Sequence, residues 1–534
     1  MTTTPGPVLE LKHFRLRYPA SNAWTLDGLD LHLHPGERMA LVGPSGCGKS
    51  TVARAALQLL PAGSTCEGSL SLNGRDPRSL NRADLRALRG EAVGLVFQDP
   101  MTRLNPLMTV GGHLLDTFRA HRPTMDERER RSQAMELLER VGIGATRFRA
   151  YPHEFSGGMR QRLAIALAIA LRPPLVIADE PTTSLDVAVA GQVMGALREL
   201  CEELGSALLL ISHDLAMANR WCERMAVLDS GRVVEMNRSD VVLTYPSSRV
   251  GQRLLAAARA REGGSTPQAP EANTVLEVQG LRCWHNLGGP PWNPTWLRAV
   301  DGISFELRAG ETLGVVGGSG CGKSTLCRAL MGLSAIRGGR VQLLGQDLLR
   351  LRGTQARIAR RTMQMVFQDP LACLNPAMTV VDAIADPLLI HGLASPATAR
   401  EQARQLLERV GLAPAERYQN RLPRQLSGGQ QQRVAIARAL ALTPQVLICD
   451  ESVSMLDAEI QAEVLALLRQ LQRELGLAML FITHDLSVAS GFCHRLMVLD
   501  QGHVVEQGPG DRLLNQPSAA ITRTLVDACP RLPS

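Results

Sequence analysis

Two glycine-rich segments of the chain have the composition and spacing of phosphate-binding loops. Both fit the pattern G-x-x-x-x-G-K-[ST], and each follows a short apolar run that predicts a buried strand. The two segments are Gly43, Pro44, Ser45, Gly46, Cys47, Gly48, Lys49, Ser50 and Thr51, and Gly317, Gly318, Ser319, Gly320, Cys321, Gly322, Lys323, Ser324 and Thr325. Glycines let backbone N–H groups turn toward phosphates, and the helix that begins at the lysine adds its positive end. We expect the lysines to reach the β- and γ-phosphates and Ser50 and Ser324 to bind Mg²⁺. A simple turn is the alternative for one match, but two equivalent matches argue against it.

Two further apolar runs, 175–178 and 446–449, each end in an acidic pair. We expect the aspartates of these pairs, Asp179 and Asp450, to bind Mg²⁺. The glutamates, Glu180 and Glu451, are predicted to be catalytic, because a carboxylate there can accept a proton from the water that attacks the γ-phosphate. A helix N-cap is the alternative, and it would be favoured if no phosphate loop lay upstream.

A histidine follows each acidic pair at the same distance. His213 and His484 both lie 34 residues after the Mg²⁺ aspartate and directly after another apolar run. A single histidine at a strand end is usually structural. The repeated spacing instead predicts a catalytic contact with the γ-phosphate.

These matches belong to one long internal repeat, offset by about 270 residues along the 534-residue chain. The repeat predicts two homologous domains, at 1–260 and 275–534, each long enough to bury a core of its own. The segment 261–274 is rich in Gly, Pro and small polar residues, which is typical of a linker.

Composition excludes several classes of protein. Mean hydropathy is −0.02, and no apolar run approaches the roughly 18 residues that a membrane span needs. The 11 cysteines form no C-x-x-C pair, which favours reduced thiols over a metal cluster. The net charge of +7 does not by itself indicate nucleic-acid binding, because stretches such as 128–140 and 400–409 spread their arginines along solvated helix faces.

The most specific motif lies between each phosphate loop and its acidic pair. It comprises Ser156, Gly157 and Gly158 in the first half and Ser427, Gly428 and Gly429 in the second, each opening a helix rich in Ala, Leu and Ile. Here the chain resembles the ATP-binding cassette family, whose signature motif is L-S-G-G-Q. The resemblance implies that each serine and the N–H groups at its helix start hold the γ-phosphate of ATP bound to the facing domain. Lys49 would then face Ser427, and Lys323 would face Ser156, in an intramolecular cassette dimer.

The resemblance also implies a fold and further site residues. The fold class is α/β, with two tandem P-loop NTPase domains, each having a mainly parallel sheet core, an antiparallel β subdomain and a helical signature subdomain.

Gln98 and Gln368 match the glutamine that senses Mg²⁺ and the attacking water, and Asp186 and Asp457 match the aspartate that communicates between sites. Tyr18 matches the aromatic residue that stacks on adenine. In the second half both Trp284 and His285 lie near that place, beside an apparent insertion at 285–298, and the choice stays open.

A narrower resemblance comes from the string Q-D-P-x-x-x-L-N-P-x-M-T-V, which begins at Gln98 and again at Gln368. It is similar to the ATPases of dipeptide, oligopeptide and nickel importers. This implies an ATP-hydrolysing subunit, peripheral on the cytoplasmic face of the inner membrane. It would energise uptake of peptides, nickel, glutathione or a metal chelate through two separate permeases and a solute-binding protein. Ser452 and Met455 depart from the family pattern, and only traces of the usual tail remain, at 245–249 and 516–519.

A soluble twin-cassette translation factor that acts on ribosomes is the main alternative. Such factors carry a long, charged, helical linker between their cassettes, whereas the linker here is short and contains Gly and Pro. A fused sugar-importer ATPase is a closer alternative, but one of its cassettes is commonly degenerate. Both catalytic glutamates are present in this chain.

Overall fold

The computed structural model describes residues 6–19, 21–100, 103–183, 185–262, 269–288, 295–454 and 456–532. Residues 263–268 of the predicted linker, residues 289–294 of the predicted insertion and the departure at Met455 lie outside these ranges. The chain divides into two compact units. The first comprises Met1–Arg259 and Pro530–Ser534, and the second comprises Ala260–Cys529.

The first unit contains nine strands and nine helices among its described residues. The strands are β1 Leu9–Arg17, β2 Leu26–Leu33, β3 Arg38–Val42, β4 Thr65–Leu72, β5 Val93–Val96, β6 Leu175–Asp179, β7 Ala207–Ile211, β8 Arg224–Asp229 and β9 Arg232–Arg238. The helices are α1 Lys49–Ala56, α2 Arg82–Ala87, α3 Val110–His121, α4 Glu127–Arg140, α5 Gly157–Ile169, α6 Val187–Leu204, α7 Leu215–Trp221, α8 Ser239–Thr244 and α9 Arg249–Glu262.

The second unit repeats this order with one extra strand and one extra helix in its described part. The strands are β10 Thr274–Asn286, β11 Trp296–Arg308, β12 Thr312–Val316, β13 Gly338–Leu343, β14 Gln346–Asp347, β15 Met363–Val366, β16 Val446–Asp450, β17 Ala478–Ile482, β18 Arg495–Asp500 and β19 His503–Gly508. The helices are α10 Lys323–Leu330, α11 Gly353–Arg361, α12 Pro370–Cys373, α13 Val380–Ile390, α14 Pro396–Arg409, α15 Gly428–Leu440, α16 Ala458–Leu475, α17 Leu486–Phe492, α18 Gly510–Asn515 and α19 Ala520–Ala528.

Each unit has a six-stranded core sheet. The strand order is β5-β6-β7-β3-β8-β9 in the first unit and β15-β16-β17-β12-β18-β19 in the second. All pairings are parallel except that of the last strand, which runs antiparallel to its neighbour. The predicted apolar runs form the central strands, which are buried on both faces, as parallel sheets require. The predicted α/β class with a mainly parallel core is confirmed.

Two layers cover the core sheet of the first unit. Leu209 and Ile211 of β7 join a core with the antiparallel sheet β2-β1-β4 and helix α1, whereas Leu208 and Leu210 join a core with α3 to α6. Alternate residues of a strand point to opposite faces, so one strand contributes to both layers. The antiparallel and helical subdomains therefore lie on opposite faces of the sheet that carries the phosphate loop.

Secondary structure extends into both the predicted linker and the predicted insertion. Helix α9 continues to Glu262, and β10 begins at Thr274, the last residue of the predicted linker. Strands β10 and β11 also run through the described ends of the predicted insertion at 285–298. No helix in the described residues is long and apolar enough to cross a membrane.

Candidate functional site

Three loops meet at the carboxyl edge of each core sheet. In the first unit β6, β7 and β3 are neighbours, so the acidic pair, the histidine loop and the phosphate loop follow adjacent parallel strands. The second unit places β16, β17 and β12 in the same way. Ligands of open α/β sheets bind at this edge. The residues predicted from distant parts of the sequence are therefore brought together within each unit.

The phosphate loops turn tightly into the helices that follow them. Gly48 and Gly322 occupy the helix N-caps with φ of 110° and 109°. A Cβ at Gly322 would lie 2.0 Å from the carbonyl oxygen of Ala299, and one at Gly48 would lie 2.8 Å from Leu26 Cδ2. Only glycine fits this backbone conformation and this space. No described side chain caps either helix start, which leaves the positive helix end for an anion.

Both loop lysines are buried and fold back over their own loops. Lys49 Nζ donates to the carbonyl oxygens of Gly43 and Pro44 at 2.8 and 2.9 Å, and Lys323 repeats these contacts with Gly317 and Gly318. The loop therefore holds the ammonium group at its centre. An incoming phosphate can exchange neutral carbonyl acceptors for charged oxygens, which make stronger hydrogen bonds.

A hydroxyl from each loop contacts the aspartate of the acidic pair. Ser50 Oγ donates to Asp179 Oδ1 at 2.9 Å, and Ser324 Oγ lies 3.5 Å from Asp450 Oδ1. Burial raises the pKa of both aspartates, and the neighbouring glutamate charge adds to the effect. A hydroxyl beside a buried carboxylate is an oxygen donor set that suits Mg²⁺, which usually takes one or two carboxylates and completes its shell with phosphate and water.

Glu180 is the centre of a hydrogen-bonded group of side chains. Its Oε2 accepts from Gln98 Nε2 at 2.9 Å and from Thr183 Oγ1 at 3.0 Å, and its Oε1 lies 3.2 Å from His213 Nδ1. Burial works against ionisation, but His213, together with Thr183 and Lys49, holds the pKa of Glu180 below its usual value. The carboxylate is therefore kept charged and able to accept a proton.

Glu451 has the corresponding contacts in the second unit. Its Oε2 accepts from Gln368 Nε2 at 2.9 Å and lies 3.5 Å from His484 Nδ1. Burial opposes protonation of the imidazole, but the glutamate raises the pKa of His484 above its usual value. Both glutamates have a φ of 46°, in the left-handed region that non-glycine residues seldom adopt. Such strain persists where the surrounding structure holds it, often at functional sites.

The signature residues form helix starts in both units. Ser156 and Ser427 are the N-caps of α5 and α15, and each side chain accepts from a backbone N–H at 3.4 Å. The second glycine of each motif allows close helix packing: a Cβ at Gly158 would lie 2.2 Å from Val189 Cγ1, and one at Gly429 would lie 2.4 Å from Ile460 Cγ2. The first glycine, Gly157 or Gly428, is the first residue of its helix.

Asp186 and Asp457 lie after the acidic pairs and begin long helices. Asp186 is the N-cap of α6 and accepts from Val189 N at 3.0 Å, and Asp457 caps α16 in the same way, accepting from Ile460 N at 3.1 Å. The structure therefore gives each predicted communicating aspartate a local role in fixing the start of a helix.

The counterpart of Tyr18 in the second unit follows from strand register. Arg15 pairs with Asp27 and Arg282 pairs with Asp301, so Tyr18 and His285 both lie three residues beyond an equivalent pair. Tyr18 OH is 3.3 Å from Thr51 Oγ1. His285 Nε2 is likewise 3.4 Å from Thr325 Oγ1.

The Trp284 side chain contacts Asp301 and Arg298 in the second unit. Its Nε1 donates to Asp301 at 3.3 Å, and the guanidinium of Arg298 lies 4.9 Å from the ring centre. Of the two residues that the sequence left open, His285 is the structural equivalent of Tyr18.

Two features of the site are absent from the sequence prediction. Thr183 bonds the Glu180 carboxylate, and the signal for it was a hydroxyl residue three positions after the glutamate in both halves, Thr183 and Ser454. Glu235 and Glu506 bind the segments 245–249 and 516–519, respectively. Glu235 accepts from the N–H groups of Ser247 and Ser248 at 2.8 and 3.0 Å. No sequence pattern that we used links these glutamates to the tails.

Comparison with known proteins identifies the family. The ABC transporter family matches residues 26–183 and 300–454. The peptidoglycan transport ATP-binding protein YejF of Agrobacterium fabrum is 40% identical over 98% of this chain and 97% of its own length. The glutathione import ATP-binding protein GsiA of Pectobacterium atrosepticum is 38% identical over 93% of this chain and 85% of its own length. The oligopeptide transport ATP-binding protein OppD of Mycobacterium bovis is 37% identical over 98% of this chain and 99% of its own length. These relatives give no support to the ribosomal alternative. The chain therefore belongs to the ABC transporter family and is an ATPase built from two cassettes.

Proposed function

We propose that the chain is the ATP-hydrolysing subunit of an importer for peptides or a related small solute such as glutathione. The relatives named for peptidoglycan, glutathione and oligopeptide transport support this substrate class. The chain would work at the cytoplasmic face of the inner membrane, attached through two separate permeases that receive the solute from a binding protein.

The observation that carries the proposal is the repeated glutamate–glutamine–histidine group in both units. Glu180 and Glu451 are half-buried carboxylates in the same unit as a phosphate loop, each contacted by one glutamine amide and one imidazole. Each carboxylate accepts the proton of the attacking water, and the paired imidazole moves to the γ-phosphate when ATP is present. Proton acceptance of this kind typically contributes about 10²–10⁴ in rate.

Mg²⁺ fits the donor set of each unit. Ser50 and Asp179 would hold the ion in the first unit, where the amide oxygen of Gln98 is a further ligand candidate. Ser324 and Asp450 would hold it in the second unit, with Gln368 as the corresponding candidate. When bound, the ion neutralises charge on the phosphate oxygens during transfer. Lys49 and Lys323 then bind the β- and γ-phosphates, and the helix ends behind them hold the remaining oxygens.

The two ATP sites are composite in this proposal. ATP on the loop of one unit is completed by Ser427, Gly428 and Gly429, or by Ser156, Gly157 and Gly158, of the other unit. Exposed N–H groups at a helix start are suited to the γ-phosphate. Asp186 and Asp457 each cap the helix that follows the acidic pair of their own unit, and in this proposal they communicate between the two sites.

Coupling to the permeases would run through the loops after the glutamines. Leu107 is 87% exposed in the loop after Gln98, and Leu371 is 44% exposed in the short helix α12 after Gln368. Gln98 and Gln368, at the loop starts, bond directly to the catalytic glutamates. A permease that contacts the apolar loop can therefore move the glutamine and change the hydrogen bonding of the carboxylate.

Uptake in cells that lack the chain tests the function. Radiolabelled di- and tripeptides, glutathione and nickel are supplied separately, and uptake is restored with the wild-type chain or with Glu180→Gln/Glu451→Gln. We expect the wild type to restore uptake of one solute class and the variant to restore none. Purification of the tagged wild type in mild detergent should recover two permeases. Recovery of ribosomal proteins without any permease would contradict the proposal.

A further inference from the structure

The positive charge of the chain is concentrated in one segment of the second unit. Residues 333–363 contain seven arginines and one acidic residue, Asp347, in a chain whose net charge is +7. The arginines are Arg337, Arg340, Arg350, Arg352, Arg357, Arg360 and Arg361.

The equivalent segment of the first unit is almost neutral. Residues 61–93 also connect the helix after the phosphate loop to the edge strand of the core sheet. They contain five arginines and four acidic residues. Arg78 is paired there with Asp76 at 2.6 Å. The basic segment is therefore specific to the second unit and is not a requirement of the fold.

Four arginines on and beside α11 have no acidic partner among the described residues. Arg340 and Arg350 share Asp347. Arg352, Arg357, Arg360 and Arg361 form no ion pair with any carboxylate that the structure describes, and all but the half-buried Arg361 are exposed. Their charge is available to an external anion.

Aliphatic side chains protrude beside these arginines. Ile358 of α11 is 49% exposed and directly follows the exposed Arg357 along the helix. The guanidinium of Arg357 donates to the carbonyl oxygen of Ile390, so the end of α13 lies against α11. Ile390 and Leu393 at that end are 57% and 48% exposed. We call Arg352, Arg357, Ile358, Arg360, Arg361, Leu389, Ile390 and Leu393 the basic apolar patch.

The end of α3 in the first unit has different chemistry at the same place. Arg119 there corresponds to Leu389 and pairs with Asp116 at 3.3 Å and Glu127 at 2.6 Å. A solvated, charge-balanced helix end in the first unit is thus replaced in the second by exposed aliphatic side chains that flank unpaired arginines.

We propose that the basic apolar patch binds directly to an acidic lipid bilayer surface. Amphipathic elements with basic residues around protruding aliphatic side chains bind at the membrane interface, where the charge meets anionic headgroups and the aliphatic groups enter the acyl boundary. Fluid headgroups can surround separate protruding side chains such as Ile358 and Ile390 without shape complementarity. The second unit therefore has a lipid contact of its own, in addition to any permease. This inference does not rest on the ATPase mechanism.

Vesicle co-sedimentation of the full-length chain tests the inference. One set of vesicles contains phosphatidylcholine alone, and the other contains about one third phosphatidylglycerol. We expect binding to the acidic vesicles only, weakening as salt is raised. Each arginine near an acidic surface is worth about a fivefold change in affinity. Arg352→Gln/Arg357→Gln/Arg360→Gln should therefore weaken binding on the order of a hundredfold, and Ile358→Ser/Ile390→Ser should weaken it at unchanged charge.

A matched control removes the same charge from the first unit. Arg75→Gln/Arg82→Gln/Arg86→Gln should bind acidic vesicles nearly as the wild type does. Circular dichroism and ATP turnover check that each variant is folded. Equal binding to both kinds of vesicle, or an equal loss in the control, would overturn the proposal. Absence of vesicle binding, together with loss of permeases from the patch variant during purification, would assign the patch to an acidic protein surface instead.

Discussion

Gln98 donates its side-chain amide to Glu180 Oε2 at 2.9 Å, which ties the carboxylate proposed as the proton acceptor to the loop proposed to contact a permease. Gln368 and Glu451 repeat the bond at the same distance. The glutamine therefore joins the proposed site of ATP hydrolysis to the loop proposed to contact the permease. Its amide donates to the carboxylate, and its backbone begins the loop.

Replacing the proposed proton acceptors should separate binding from turnover. Glu180→Gln/Glu451→Gln should lower ATP hydrolysis by about 10²-fold or more, since the amide cannot accept the proton. Nucleotide affinity should stay near that of the wild type. Phosphate release and titration with a fluorescent ATP analogue measure the two quantities. Glu136→Gln, on the exposed face of α4, is the matched control, and turnover above a tenth of the wild type in the double variant would refute the role.

His285 should contribute to nucleotide affinity in the second unit, as Tyr18 should in the first. Loss of an aromatic platform under a base costs about 1–3 kcal/mol, so His285→Ala should weaken binding roughly tenfold. Photolabelling with an azido-ATP, followed by peptide mapping, distinguishes the two units. His285→Tyr should retain labelling. The neighbouring variant Trp284→Ala serves as control, and a larger loss of labelling there than in His285→Ala would reverse the assignment.

The second glycine of each signature motif should be needed for packing. Gly429→Ala places a methyl group only 2.4 Å from Ile460 Cγ2, and overpacking of this kind costs about 1–3 kcal/mol. Thermal unfolding should therefore begin at a lower temperature. Gly428→Ala is the control, because its Cβ would lie 3.7 Å from the nearest atom, Leu456 Cδ2. Ile460→Ala should rescue Gly429→Ala, and no rescue would mean that the glycine acts other than through this contact.

Acid should release the segment 516–519 from Glu506. The Glu506 carboxylate accepts from Ser518 N at 3.0 Å, from Ser518 Oγ at 2.7 Å and from Ala519 N at 3.1 Å. Burial opposes ionisation, but these bonds lower the pKa of Glu506 to about 2. Because the folded-state pKa is depressed, the stabilisation is present above the unfolded pKa of about 4.3 and is lost as pH falls toward 2.

Hydrogen exchange at the Ser518 and Ala519 amides measures this effect. Protection should fall as the medium is acidified from about pH 5, after correction for intrinsic exchange. Glu506→Gln should show low protection at every pH, so its difference from the wild type should shrink in acid. A difference that stays constant with pH would argue against a charge-dependent contact.

Thiol reagents should modify the loop cysteines slowly. Cys47 and Cys321 are 6% and 5% exposed, and burial raises the pKa of both thiols although a lysine lies nearby. Cys66 and Cys373 are half-buried, so they should react first. Mass spectrometry during timed alkylation gives the order. Equally fast labelling of Cys47 in the native chain would show that the loop opens readily.

The sequence predicts most of the site because its motifs are local. A phosphate loop, an acidic pair after an apolar run and a serine at a helix start are each contained in a few residues, and the parallel sheet then brings them together. The choice between Trp284 and His285 was different. It depends on the pairing of β10 with β11, which contains several register shifts, and a shift of one residue exchanges the two faces of a strand.

Long-range pairs account for the other omissions. Glu506 lies in an edge strand and binds a segment twelve residues further on, and only the folded chain shows that contact. The left-handed backbone conformation of Glu180 and Glu451 likewise could not be predicted from the sequence, because glutamate has no preference for that conformation.

The shared φ of 46° at these two glutamates bears on how the duplicated halves have been maintained. A left-handed non-glycine residue costs of order 1–3 kcal/mol. If one half had been released from selection, drift toward glycine at that position would have relieved the strain. Both halves have kept the glutamate and the unfavourable backbone together. The duplication has therefore left both halves with the residue and the backbone conformation that the proposed proton acceptor requires.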